Sequence, residues 1–227
     1  GFFVHPAKGH HPGVILWPDI AGLREAKKIM ARRLAAAGYA VLVANQYYRG
    51  GPAPILGSFA EWRTPEGQAK IKPLREALTA EVVQRDAAAW VNFLDASGAV
   101  ARGRRVGSAG YCMGGPFTVF TAAARPDRVG AAASFHGAGL VTDGADSPHR
   151  LLGQTRAAYL FAIARNDDER APGDKDALRK AAVEAGRSAE VEVYPADHGW
   201  CVPDSPVYDP VQADRAWARM LALFAKL

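Results

Sequence analysis

One stretch, Gly110-Tyr111-Cys112-Met113-Gly114-Gly115, limits what this chain can fold into more than any other. An apolar, β-leaning run, Arg104 to Ala109, leads into it, and a helix-prone run, Pro116 to Ala124, leads out. A reactive side chain on a sharp strand-to-helix turn, framed by glycines, is the arrangement of a nucleophile elbow, with cysteine where serine usually stands. Glycines suit such a turn because the backbone is strained and Cβ atoms would clash. The residue at the turn meets the N-terminus of the next helix, where free N–H groups and the helix dipole favour a thiolate or an oxyanion. A lone cysteine in an apolar run is ordinarily a small buried hydrophobe. Glycines at 110, 114 and 115 argue against that here.

Around this stretch, continuous apolar runs alternate with helical patterns. Val14–Trp17, Tyr39–Ala44, Val129–Phe135, Ala157–Ala164 and Ala189–Tyr194 read as strands, and Gly1–Val4 as an edge strand. Leu23 to Ala37 reads as a helix with apolar residues at 26, 29, 30, 34 and 37, closed by Gly38. Further helices are expected from Pro73 to about Ala96, over Asp174–Ala185 and over Pro210–Lys226. Asn45 to Lys72, rich in Gly and Pro, reads as a long irregular connection of the kind that often carries function. The alternation predicts an open, mostly parallel α/β sheet. No repeat or linker divides it, so residues 1–227 are read as one domain. Sites in such sheets lie beyond the carboxyl ends of the strands. Asp19, Cys112, Asp167 (or Asp168) and His198 all fall at such ends, and hence on one edge.

The chemistry of that set is coherent. A free cysteine has a pKa of about 8.5 and needs a base to become a nucleophile at neutral pH. Histidine can take that proton and return it to a leaving group. A carboxylate fixes the imidazole tautomer and stabilises the imidazolium. Nucleophile, acid, histidine is the chain order of α/β-hydrolases. The net charge of +5 comes from scattered Lys and Arg, so nucleic-acid binding has little support. No apolar run reaches the length of a membrane span. Cys112 and Cys201 are too few for a disulfide framework, which suits a reducing cytoplasm. The histidines are too dispersed in sequence for a zinc pattern, so no metal is expected.

These residues together resemble the dienelactone hydrolase family of α/β-hydrolases. Gly110 to Gly115 matches that family's G-x-C-x-G-G, and Trp17-Pro18-Asp19-Ile20-Ala21-Gly22 is similar to its first loop. Asp167 with Pro172, and Tyr194-Pro195 with His198-Gly199, resemble its acid and histidine loops. The resemblance implies a single α/β-hydrolase domain over residues 1–227, a mostly parallel sheet of about eight strands flanked by helices, and no cofactor. It also implies an acyl-thioester intermediate on Cys112 during hydrolysis of a small ester or lactone. The oxyanion hole would be the backbone N–H groups of Met113 and Ile20. The family's aspartate stands four residues before the proline, which would be Asp168, whereas spacing back from Tyr194 favours Asp167. Asp19 stands at the acidic position expected to touch and gate the resting thiol, with capping of the next helix as its other reading. An arginine that binds the substrate carboxylate in well-known members is replaced by Val202. Trp62, Arg63 and Trp200 are expected near the substrate, and His136 either there or as a hydrogen-bonded structural histidine. A monomer or homodimer is expected. A thiol redox protein using Cys112 and Cys201, or a non-catalytic binding protein of the same fold, are the alternatives.

Overall fold

The computed structural model describes residues 1–227. Its strands are β1 (Phe2–Val4), β2 (Gly13–Trp17), β3 (Ala40–Val43), β4 (Val106–Tyr111), β5 (Val129–Phe135), β6 (Ala158–Ala164) and β7 (Ala189–Tyr194). They form one seven-stranded sheet in the order β1-β3-β2-β4-β5-β6-β7, one strand fewer than the resemblance implied. Only β1 is antiparallel to its neighbour; β3 through β7 are parallel. Strands β2, β3 and β4 are buried along their whole length, which is why they read as unbroken apolar runs rather than alternating ones. Strand β7 is a half-buried edge, and its Glu190 and Glu192 pair with Arg219 and Arg215.

The helices are α1 (Glu25–Ala36), α2 (Phe59–Trp62), α3 (Pro65–Glu76), α4 (Ala80–Ala96), α5 (Gly114–Ala124), α6 (Arg165–Arg170), α7 (Asp174–Glu184) and α8 (Pro210–Phe224). Two apolar clusters cover the two faces of the sheet. Leu34 of α1 and Met220 and Phe224 of α8 pack on one face; Val83 and Val91 of α4, Val119 of α5 and Leu178 of α7 pack on the other. Burying such side chains contributes about 1.5–3 kcal/mol each and is the main force holding the layers together.

Three sequence expectations change. The expected irregular stretch over 45–72 contains α2 and most of α3. The Thr64 hydroxyl accepts from Gly67 N and Pro65 occupies the first turn, a start signal hidden among the surrounding Gly and Pro residues. The helix expected from Pro73 is two helices, because α3 ends at Glu76 and Thr79 caps α4. In α1 the buried residues include Ala26, Lys27, Ala31, Leu34 and Ala35, while Ile29 is 50 % exposed. The stripe is therefore rotated from the expected one, and it includes a lysine.

Candidate active site

Strand β4 ends in the elbow. Cys112 has φ +54°, a left-handed conformation that an L-residue with a side chain adopts only under constraint. The constraint is visible in hydrogen bonds: Cys112 N donates to Phe135 O at 3.0 Å, and Cys112 O accepts from Gly115 N and Ala138 N. The strain thus falls on the cysteine itself. The flanking glycines are needed for space. A Cβ on Gly110 would lie 2.0 Å from Gly114 O, one on Gly114 2.5 Å from Pro18 O, and one on Gly115 2.5 Å from Gly137 Cα.

Strands β6 and β7 supply the acid and the base. His198 Nδ1 lies 2.6 Å from Asp167 Oδ2, and His198 N donates to Asn166 Oδ1 at 2.9 Å. Asp167 sits on the short helix α6, not on an open loop. Asp168 turns away and pairs with Lys175 at 2.7 Å. Burial disfavours the imidazolium of His198, yet its hydrogen bond to Asp167 and the negative charge that Asp167 and the neighbouring Cys112 can carry outweigh that and raise its pKa to about 10. The Cys112 sulfur, a His198 ring nitrogen and a His136 ring nitrogen lie within 4.8 Å of one another.

Strand β2 supplies the remaining wall. The backbone N–H groups of Ile20 and Met113 make no hydrogen bond within the protein. Tyr47 links their residues: its hydroxyl donates to Ile20 O at 2.9 Å and contacts Met113 Sδ at 3.8 Å. Ile20, Met113, Phe59 and Trp62 pack on a small apolar cluster formed by Ala21, Tyr47, Leu56 and Ile71.

The sequence matches the dienelactone hydrolase family over residues 1–227. The chain belongs to that family. It is 28 % identical over 229 residues to a Synechocystis sp. protein named "Putative carboxymethylenebutenolidase", covering 99 % of this chain and 90 % of the relative. It is also 28 % identical over 227 residues to a Bradyrhizobium sp. protein named "Probable 2-oxo-3-(5-oxofuran-2-ylidene)propanoate lactonase", covering 94 % and 83 % of the two chains. The crystal structure of a "Putative Dienelactone Hydrolase" from Klebsiella pneumoniae superimposes with a TM-score of 0.81 at 26 % identity, covering 99 % of this chain and 92 % of the other. The sheet is that of the α/β-hydrolase fold, and the protein is a dienelactone hydrolase-like hydrolase of lactones or esters.

Several residues stand differently from expectation in this dienelactone hydrolase-family chain. Asp19 is 1 % exposed and its carboxylate is occupied by Arg24 at 2.7 Å, by Lys27 at 2.7 Å and by Ala21 N at 3.0 Å. It makes no hydrogen bond to Cys112, so the thiol-gating contact is absent. Nor does it cap α1, whose N-cap is Arg24 with no side-chain cap bond. Trp200 is 0 % exposed and stacks on Tyr194, so it supports the histidine loop from behind and presents no surface to a substrate. Arg63 is exposed at the end of α2, and Trp62 beside it is half-buried against the Tyr47 cluster. Arg49 is bound by Asp86 at 2.6 Å and is not free for an anion. Cys201 is buried, and burial pushes its thiol up to about 12, which keeps it protonated and unreactive. It lines an apolar cavity of about 290 Å³ with Tyr111, Phe135 and Trp217, and Cys112 is not among the lining residues.

Sequence reasoning missed Arg24, Lys27, Tyr47, Asn166 and Asp204. Arg24 binds both Asp19 and Asp204, and Asp204 in turn accepts from Phe59 N at 3.1 Å. One guanidinium thus ties together the loop after β2, the loop after β7 and helix α2. A usable signal was present for Lys27, a charged residue on the buried stripe of α1. For Tyr47 the signal was its place just past the end of β3.

Proposed function

We propose that this protein hydrolyses neutral short-chain carboxylic esters or lactones through an acyl-thioester on Cys112. The observation that carries the reading is the run from the left-handed Cys112 to His198, whose Nδ1 is held by Asp167 at 2.6 Å. His198 holds the proton given up by the thiol, and the thiolate attacks the carbonyl carbon. The oxyanion forms between the N–H groups of Met113 and Ile20, neither of which is spent on a hydrogen bond within the protein. Collapse expels the alkoxide, which takes its proton from His198. His198 then deprotonates a water molecule that attacks the thioester, and the thiolate leaves.

Neutral substrates fit because the cation that binds a substrate carboxylate in well-known family members has no counterpart here. Val202, at the position of the family's arginine, is 2 % exposed and part of the core. Arg24 is pinned by two carboxylates. The apolar side chains around Ile20 and Met113 suit a small hydrocarbon acyl group.

The test is p-nitrophenyl acetate turnover together with intact-protein mass spectrometry. The parent accumulates one acetyl group that is lost on standing. Cys112→Ala forms no adduct and loses about a thousandfold or more in kcat. Retained turnover by Cys112→Ala overturns the reading. A specificity constant for a dicarboxylate-like dienelactone more than about a hundredfold above that for neutral esters, roughly 2.7 kcal/mol, overturns the substrate class.

A further inference from the structure

His136 ends β5 beside the elbow, and the hydrolytic reading gives it no task. Its ring is 1 % exposed, and neither ring nitrogen has a hydrogen-bond partner. Buried polar groups are nearly always paired, so an imidazole with both nitrogens idle calls for an explanation. Its backbone is left-handed, φ +41°, and its N–H is spent on Ala162 O, so the ring is held where it stands. The ring centroid lies 4.6 Å from that of His198, and one of its nitrogens is within 4.8 Å of both the Cys112 sulfur and a His198 nitrogen.

One thiolate and two imidazoles are the donor set of a soft or borderline divalent cation, and they discriminate against Mg²⁺ and Ca²⁺. Tetrahedral Zn²⁺ binds sulfur at about 2.3 Å and imidazole nitrogen at about 2.0–2.1 Å, which spaces the ligand atoms about 3.3–3.6 Å apart. The three ligand atoms already stand within 4.8 Å of one another, so an ion between them draws each inward from where it rests. The surrounding shell is already in place. Asp167 holds His198 Nδ1, leaving Nε2 for a metal, and a carboxylate behind a histidine is the usual partner of a metal-bound imidazole. Cys112 and His198 are only half-buried, so the ion has a way in and a fourth position stays open to water.

We propose that Cys112, His136 and His198 form a three-ligand site for a divalent cation of the Zn²⁺ class, and that occupation holds the enzyme inactive. Binding forms one metal–sulfur and two metal–nitrogen bonds and releases to solvent the one proton that Cys112 and His198 share. The sulfur lone pair and the His198 nitrogen are then both taken. The inhibition rests on the cysteine-hydrolase reading; the binding does not.

The test uses the full chain, freed of metal with a chelator and kept anaerobic. Zn²⁺ competed against a chromophoric chelator is expected to bind one per chain. Co²⁺ is expected to give a sulfur-to-metal charge-transfer band that Cys112→Ala abolishes and Cys201→Ala retains. His136→Asn, with a residue that tolerates the left-handed backbone, is expected to weaken Zn²⁺ by about tenfold or more. X-ray absorption of the Zn²⁺-loaded parent is expected to report one sulfur and two imidazoles, and it decides the matter even if His136→Asn does not fold. No stoichiometric Zn²⁺ binding, a single imidazole in the zinc sphere, or an unchanged affinity in folded His136→Asn overturns the site. Ester turnover that Zn²⁺ does not inhibit, in a chain that binds it at this site, overturns the regulatory part alone.

Discussion

At the scale of single residues, two adjacent aspartates have opposite fates. Asp167 accepts from His198 Nδ1, and Asp168 is turned to Lys175. Removing the charge of Asp167 keeps the geometry but withdraws the group that sets the tautomer and stabilises the imidazolium. Asp167→Asn is therefore expected to lower kcat/KM by up to about 10⁴. Asp168→Asn loses a partly exposed ion pair worth about 0–1 kcal/mol of stability and is expected to keep kcat within a few-fold of the parent. Steady-state kinetics of the two variants on one ester separate them, and the reverse ranking would move the acid to 168. The two could not be distinguished from sequence with certainty, because a one-residue step on helix α6 rotates a side chain by about 100°.

At the scale of elements, the elbow works because β4 and α5 approach closely where they join. The Cβ that Gly110→Ala adds would collide with Gly114 O, which is backbone and cannot rotate away. The first turn of α5 must shift, and Met113 N–H and the Cys112 sulfur shift with it. Gly110→Ala is expected either to leave no soluble folded chain or to fold with kcat lowered about a hundredfold, the cost of an ångström of misplacement. Circular dichroism followed by the ester assay reads both outcomes. A folded variant with parental kcat would mean that the close approach is not required. Gly38 offers the contrast: a Cβ there meets nothing within 4 Å, and only its φ of +99° resists substitution.

At the scale of the whole molecule, the buried ionic group of Asp19, Arg24, Lys27 and Asp204 joins parts of the chain that are remote in sequence. Burial alone would raise the Asp19 pKa, but the charges and hydrogen bonds of Lys27 and Arg24 hold it far below the usual carboxylate range. Asp19→Asn leaves a fully buried lysine and an arginine short of an anion, a change that costs about 3–5 kcal/mol. Urea denaturation at pH 7 is expected to report that loss. Because the folded pKa is depressed, the stabilisation is present above the unfolded value near 3.8 and is lost as pH falls through the folded one. The difference between parent and variant should therefore be constant through neutral pH and shrink only below about pH 4. A midpoint unchanged by Asp19→Asn at pH 7 would show that the group does not hold the loops.

The sequence by itself determined the order of the strands, the elbow, and the edge of the sheet on which Cys112, Asp167 and His198 meet. Each is written in local terms: unbroken apolar runs where strands are buried on both faces, glycines where backbones touch, and polar residues just past strand ends. What a side chain faces across the sheet edge is not a local property, and only the tertiary structure decided it. Asp19 looked free to meet the thiol until α1 brought Arg24 and Lys27 onto it. Trp200 looked like a pocket wall until Tyr194 and His136 closed over it. The histidines looked too dispersed to share an ion, yet β5 and β7 lie within two strands of each other and carry His136 and His198 to the same thiol. Spacing along the chain sets which edge a residue reaches, and packing between elements sets its partner there.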